Sequence, residues 1–168
     1  MKHSKFITVI VAALLAPALV FSAEKFAPSQ AVLGTDNTVI VPLEIANEDG
    51  VMAIDIPLSF SEGVTLKEVT FENTRVEDWD LTISNINNEE RSVVIGLINQ
   101  LSAAPKPTLT AGKGPVANLV FEVVDPSIED ITLTRNVTKG PSHDLVLVYN
   151  RRSNPGQIAL DETSLEFD

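Results

Sequence analysis

Apolar and polar residues alternate along this chain in short runs, and the clearest run lies between Gly50 and Val69. Every second residue from Met52 to Phe60 is apolar, and Asp55 stands in the middle of the intervening row. A period of two over this length predicts a β-strand that buries one face and displays the other. The predicted core face comprises Met52, Ile54, Ile56, Leu58 and Phe60. We therefore expect the Asp55 carboxylate on the outer surface of a sheet.

Comparable runs recur along the chain and predict further strands. They are Val39–Ile45, Val64–Phe71, Trp79–Ile83, Arg91–Ile98, Val116–Val124, Ile131–Thr134, Leu145–Tyr149 and Gln157–Leu160. A slip of phase between Leu66 and Val69 predicts a bulge. Polar segments separate the runs: Asn85–Glu90 predicts a turn, and Asn99–Pro115, rich in proline and glycine, predicts a long loop. Nine or ten short strands with a turn about every 8–12 residues are typical of an all-β sandwich.

The N-terminus has the features of an export signal. Lys2 and Lys5 precede the almost wholly apolar run Phe6–Phe21, and small residues follow at Ser22 and Ala23. This run is shorter than the roughly 20 residues that a spanning helix needs. We expect residues 1–22 to be removed and residues 23–168 to form one domain, secreted to the cell envelope, the periplasm or the outside of the cell, without membrane insertion.

Charge and cysteine content exclude several classes of protein. Removal of residues 1–22 leaves 10 basic and 23 acidic side chains, a formal charge of −13. Such a charge repels nucleic acid and anionic lipid headgroups, so neither is an expected partner. The sequence contains no cysteine, so no disulfide stabilises the domain. About 145 residues are enough to build a core without such bridges.

The residues that carry most enzyme chemistry are scarce, and we do not expect an enzyme. The chain has two histidines, and His3 belongs to the predicted signal. The other, His143, lies between Ser142 and Asp144, and consecutive residues of a turn seldom converge on one reacting atom. Acidic pairs such as Glu89–Glu90 fall in predicted turns, where solvent keeps both carboxyls ionised. No catalytic residue and no cofactor is predicted.

Two ligand classes stay open at this point. Asn47–Asp49 and Asp125 could supply oxygen atoms to a structural calcium ion, although no EF-hand spacing is present. A polysaccharide would need exposed aromatic rings, and Trp79 and Tyr149 are the main candidates outside the phenylalanines. Both aromatic positions are equally compatible with the core.

Four segments, taken in order, resemble cohesin domains, the dockerin-binding receptor modules of cellulosome scaffolds. They are Asp36–Asn47 (DNTVIVPLEIAN), Gly50–Val69 (GVMAIDIPLSFSEGVTLKEV), Arg91–Asn99 (RSVVIGLIN) and Gly114–Val123 (GPVANLVFEV). The resemblance extends from about Ala31 to Tyr149. It rests on the order and spacing of the four segments.

The resemblance implies a nine-stranded jelly-roll sandwich that binds dockerin helices on a flat sheet face. The second and third segments contribute to that face, and Asp55 falls on one of its acidic positions. Ala53, Gly96 and Asn99 stand where common cohesin patterns have asparagine, leucine and glutamate. Asp55, Ala53, Gly96 and Asn99 are accordingly the predicted partner-binding residues.

Three functions agree with these observations. The first is a secreted, non-catalytic module that docks a dockerin-type domain or another secreted protein in extracellular assembly linked to polysaccharide breakdown. The second is a carbohydrate-binding β-sandwich, and the third is a structural or adhesive domain of the cell envelope.

Overall fold

The computed structural model describes residues 25–34, 36–101, 106–136, 144–154 and 157–164, with side chains as far as Tyr149. These residues form eleven β-strands and no helix. The strands are β1 (Lys25–Pro28), β2 (Val32–Leu33), β3 (Thr38–Asn47), β4 (Val51–Phe60), β5 (Val64–Thr70), β6 (Leu81–Asn87), β7 (Ser92–Ile98), β8 (Gly112–Val123), β9 (Leu133–Arg135), β10 (Val146–Asn154) and β11 (Gln157–Ser164). In the part of the chain described, no helix could cross a membrane.

The strands pair into two antiparallel sheets. The first sheet has the order β1-β3-β8-β5, with β2 also paired to β3. The second has the order β11-β10-β4-β7-β6, with β9 also paired to β4. The predicted all-β sandwich is confirmed. The predicted count of nine strands is not, because two short strands that the polarity pattern did not predict, β1 and β2, also pair with β3.

The core lies between the two sheets and is built by alternation along each strand. In β3 every second residue from Val39 to Ile45 is buried, as the polarity pattern predicts. Phe60 of the second sheet meets Phe121 of the first edge to face, with ring centroids 5.4 Å apart. Each such side chain contributes about 1.5–3 kcal/mol when fully buried, so the interior can stabilise the domain without disulfides.

One predicted core residue is wrong. Ile54, Ile56, Leu58 and Phe60 are buried, but Met52 is only half-buried. Opposite β10, Ala53 pairs with Val148 and Val51 with Tyr149, so Met52 is the extra residue of a β-bulge. The bulge reverses the alternation, and Val51 enters the core in place of Met52.

Two further predictions concern strand continuity. The bulge in β5 is confirmed, since the register against β8 shifts between Leu66 and Glu68. The predicted polar turn Asn85–Glu90 begins too early, because β6 continues pairing with β7 as far as Asn87. The predicted signal segment 1–22, His143 and the last residues after Ser164 lie outside the described residues.

Candidate docking face

The sheet pairing fixes which side of the second sheet Asp55 occupies. Ile54 and Ile56, its neighbours in β4, are both buried, so Asp55 is on the outer side. Residues directly opposite in an antiparallel pair share one side of the sheet. Asp55 is opposite Gly96 of β7, which is opposite Ile83 of β6, and Val146 of β10 flanks Asp55 on the other edge.

The rows on either side of Asp55 are mainly aliphatic. One row runs across the sheet through Leu81, Ile98, Ala53 and Val148. The other runs through Asn85, Val94 and Pro57. We call these eleven positions, with the row of Asp55, the outer face: Val146, Val148, Ala53, Asp55, Pro57, Val94, Gly96, Ile98, Leu81, Ile83 and Asn85. The outer face therefore surrounds one carboxylate with apolar side chains.

Ile83 is the most prominent apolar group on the outer face. Its exposed fraction is 53%, and it stands beside Gly96, where a Cβ atom would lie 3.4 Å from Ile83 Cγ1. The Ile83 side chain thus lies beside the glycine, and a residue larger than alanine at position 96 would clash with it. An exposed aliphatic group in a contiguous apolar patch is typical of an interaction surface.

Sequence patterns missed this property of β6. Alternation placed Leu81 and Ile83 on one face, but a period of two does not tell which side of the sheet that face occupies. In the structure the polar residues Thr82 and Ser84 are opposite the buried Leu97 and Ile95, so the aliphatic pair points outward. Only the register with β7 reveals this.

The structure brings together three of the four predicted binding residues. Asp55, Ala53 and Gly96 lie on the outer face in neighbouring strands. Asn99 is placed differently from the prediction: it is only 1% exposed and cannot offer its side chain to a partner. Its Nδ2 donates to the Pro107 carbonyl at 3.3 Å, so the residue anchors the following loop instead.

That loop is also fixed at its far end. The Val51 and Leu109 backbones exchange two hydrogen bonds, of 3.1 and 2.9 Å. Arg75 donates to the carbonyl oxygens of Gly112 and Thr110 and, at 2.8 Å, to Asn47 Oδ1. Partial burial lowers the pKa of the Arg75 guanidinium from its ordinary value, while the surrounding carbonyl oxygens accept hydrogen bonds from it. These contacts hold the end of the sandwich next to Ala53 in one arrangement.

The residues considered as candidate calcium ligands make hydrogen bonds within the protein. The Asn47 side chain is engaged with Arg75 and with the Thr110 carbonyl. The Asp125 carboxylate accepts hydrogen bonds from the backbone and hydroxyl of Ser127, which together lower its pKa. Within the described ranges no three His, Cys, Asp or Glu residues converge as metal ligands would.

The aromatic residues are directed toward the core. Tyr149, Phe26 and Phe121 are fully buried, and Trp79 is half-buried against the core. No described aromatic ring is among the exposed large hydrophobic groups. The described surface therefore has no aromatic platform of the kind that stacks on sugars.

Solved structures with the same arrangement of strands are cohesins. The seventh ScaB type I cohesin from Pseudobacteroides cellulosolvens superposes with a TM-score of 0.59 at 17% identity, over 87% of this chain and 88% of that one. The chain has a cohesin fold. A cohesin in a type I cohesin–dockerin complex from Clostridium thermocellum gives a TM-score of 0.55 at 9% identity, over 87% and 94% of the two chains.

The cohesin fold of this chain is shared with both described cohesin types. A type II cohesin domain from the cellulosome of Acetivibrio cellulolyticus gives a TM-score of 0.52 at 13% identity, covering 87% of this chain and 92% of that one. No protein-family model matches the sequence, and no curated protein does. Sequence identities this low establish that the fold is shared, but they do not identify a binding partner.

Proposed function

We propose that this protein is a non-catalytic docking module whose outer face binds a dockerin-type protein domain. The observation that carries the proposal is the mainly aliphatic outer face with Asp55 at its centre, on a cohesin fold. In the Clostridium thermocellum complex, the cohesin that this chain resembles in fold has a dockerin as its partner. The resemblance of segments Gly50–Val69 and Arg91–Asn99 to cohesins supports a docking surface on the same two strands, β4 and β7.

The chemistry of the outer face defines what the partner must present. Apolar side chains around Ile83 and Val146 favour a complementary apolar surface, such as one side of a helix pair, that is buried on contact. Asp55 favours a hydroxyl or a cationic side chain near the centre, where a hydrogen bond to a carboxylate is strengthened by exclusion of water. Gly96 itself places no side chain beside the carboxylate, and Ile83 supplies an apolar contact next to it.

The position of Asp55 also favours a different protein over a second copy of this chain. A twofold face-to-face dimer centred on the outer face would bring two Asp55 carboxylates together. Like charges juxtaposed in an interface cost several kcal/mol. A partner with a donor group at this point has no such cost.

Secretion and a role in polysaccharide breakdown complete the proposal. The basic start, apolar run and small residues of segment 1–22 support export. Dockerin-type partners connect a cohesin-like module with extracellular assembly for polysaccharide breakdown. The alternative of direct glycan binding has less support, because the described aromatic rings, Trp79 and Tyr149 among them, are buried or half-buried.

Affinity capture from the proteins secreted by the native organism tests the proposal. Residues 23–168 serve as bait, alongside Asp55→Lys and a control, Glu68→Lys, that makes the same charge change on the exposed surface of the other sheet. We expect dockerin-bearing proteins with the wild-type and Glu68→Lys baits and their loss with Asp55→Lys. Retention of the domain on insoluble glycan without protein capture would favour the carbohydrate-binding alternative, and capture that is equal with all three baits would exclude the outer face.

A further inference from the structure

An open cavity of about 440 Å³ is lined by residues from β1 to β3 and by the segment from Val123 to Leu133, and none of these residues belongs to the outer face. Among the described residues, the short strands β2 and β9 lie beside it. Its walls are mainly aliphatic and include Ala31, Leu33, Val39, Val41, Ile128 and Leu133. The volume falls within the range of small-molecule sites, roughly 300–1,000 Å³.

Backbone hydrogen bonds hold both walls of the cavity. On one side, Gly34 donates to the Thr38 carbonyl at 2.9 Å and Ser29 donates to the Pro42 carbonyl at 2.7 Å. The second wall is the connection between β8 and β9, where the Gly63 carbonyl accepts from two successive backbone amides at 2.9 and 3.0 Å. The cavity is thus formed before any ligand arrives, which reduces the entropic cost of binding.

Close packing fixes the second wall further. Gly63 has a φ of 81° and Ile128 packs directly on it: a Cβ atom at position 63 would lie 2.4 Å from Ile128 Cγ2. Asp125 accepts from both the amide and the hydroxyl of Ser127 and so orders the turn that leads to Ile128. Ile128 therefore has a set position in the cavity wall.

The charged residues that line the cavity are all acidic. Among the described lining residues the charged ones are Glu129 and Asp130, both exposed. Two of the large hydrophobic residues with high exposure, Leu33 at 59% and Val124 at 58%, also line it. An apolar interior with an acidic and partly apolar rim complements a molecule with an apolar body and a positive charge.

We propose that this cavity binds a small cationic amphiphile, with its apolar body between Val41 and Leu133 and its ammonium group beside Glu129 and Asp130. A cavity of about 440 Å³ is in the size range of small-molecule sites, so a short alkyl chain can serve as the apolar body. Anionic amphiphiles of the same size are disfavoured by the two carboxylates. The cavity and the outer face use different residues, so this site is independent of partner docking.

Titration of the isotope-labelled protein with three eight-carbon probes tests the proposal. Protonated octylamine, octanol and octanoate share an apolar body and differ in charge. At low ionic strength we expect octylammonium to shift the methyl resonances of Val41, Ile128 and Leu133 and to bind about tenfold more tightly than octanoate. Octanol should fall between the two. The advantage of the cation should shrink with added salt, because the rim charges are exposed.

Two variants separate the roles of the rim and the walls. Glu129→Gln with Asp130→Asn should bring the two charged probes to similar affinity, whereas Glu68→Gln with Glu72→Gln, an equal charge change on β5 and the segment after it, should not. Ala31→Phe should block all three probes by occupying the cavity. The absence of methyl shifts with every probe, equal binding of octanoate and octylammonium to the wild type, or an unchanged preference after Glu129 and Asp130 are neutralised would overturn the proposal. If Ala31→Phe does not fold, the wild-type titrations and rim variants still decide the question.

Discussion

Asp55 and Gly96 lie directly opposite each other in the antiparallel pair of β4 and β7. The carboxylate consequently has no side chain across from it on the β7 side, and the next residue in that row is the exposed Ile83. A charged acceptor, a glycine and an aliphatic group thus follow one another across three strands. This row is the part of the outer face with the most specific chemistry.

Ile83 should contribute strongly to partner binding and little to stability. Because its side chain is 53% exposed, Ile83→Asp should change the free energy of unfolding by less than about 1 kcal/mol. The same change should weaken partner binding at least tenfold, about 1.4 kcal/mol, since it places a charge in an apolar contact. Val32→Asp is the matched control, since Val32 is 55% exposed and lies in the other sheet. Equal losses of affinity in calorimetric titrations of both variants would show that Ile83 has no special role.

Gly96 should tolerate alanine without loss of stability. Its backbone is in a strand, and an added Cβ would make an ordinary contact, at 3.4 Å from Ile83. Glycine within a strand costs about 0.5–1 kcal/mol relative to alanine, so Gly96→Ala should stabilise the domain by up to that amount in urea unfolding. A clear destabilisation would mean that the space beside Ile83 is smaller than the structure indicates.

Substitution of Asn99 should change the stability of the fold, and a charged substitute should cost more than a neutral one. Asn99→Asp replaces the Nδ2 donor to Pro107 with a buried carboxyl at a position that is 1% exposed. Burial of an ionised group without a donor disfavours the folded state, and we expect a loss of about 2–4 kcal/mol at neutral pH. Asn99→Ala, which introduces no charge, should cost about 1 kcal/mol. A wild-type unfolding midpoint for Asn99→Ala would contradict the assigned anchoring contact, and equal midpoints for the two variants would show that the charge adds no cost.

The Asp125–Ser127 contact should be visible in a carboxyl titration. Hydrogen bonds from the Ser127 side chain and backbone lower the pKa of Asp125. A lowered folded-state pKa stabilises the fold above the unfolded pKa, and this contribution is lost as the pH falls through the folded value. In Ser127→Ala the hydroxyl is lost but the amide remains, so the Asp125 carbon resonance should titrate at a higher pH, still below its ordinary value. An unchanged midpoint would show that the hydroxyl does not contribute.

Sequence patterns predicted the sandwich and most of its core because burial imposes a period of two on each strand. Ile54, Ile56 and Leu58 follow that rule and were placed correctly. Met52 does not, because a bulge depends on the pairing with β10, which is distant in sequence. A pattern along one strand contains no information about an extra residue opposite another strand.

The sequence predicted only part of the candidate site. Alternation in β4 and the resemblance both placed Asp55 on the outer surface, whereas the resemblance alone assigned Gly96, because its strand is an almost continuous apolar run. Asn99 follows the end of β7, where its burial depends on the loop that folds back to Pro107. Ile83 could not be recognised, since its exposure depends on which side of β6 faces the core.

The most direct test of the docking role is a calorimetric titration of a captured dockerin-type partner against the wild-type protein, Asp55→Lys and Glu68→Lys. Thermal melts should show that all three proteins are folded at the temperature of the titration. We predict that Asp55→Lys weakens binding at least tenfold, about 1.4 kcal/mol, while Glu68→Lys binds like the wild type. Wild-type affinity in Asp55→Lys, or an equal loss in both variants, would contradict the assignment of the outer face as the docking surface.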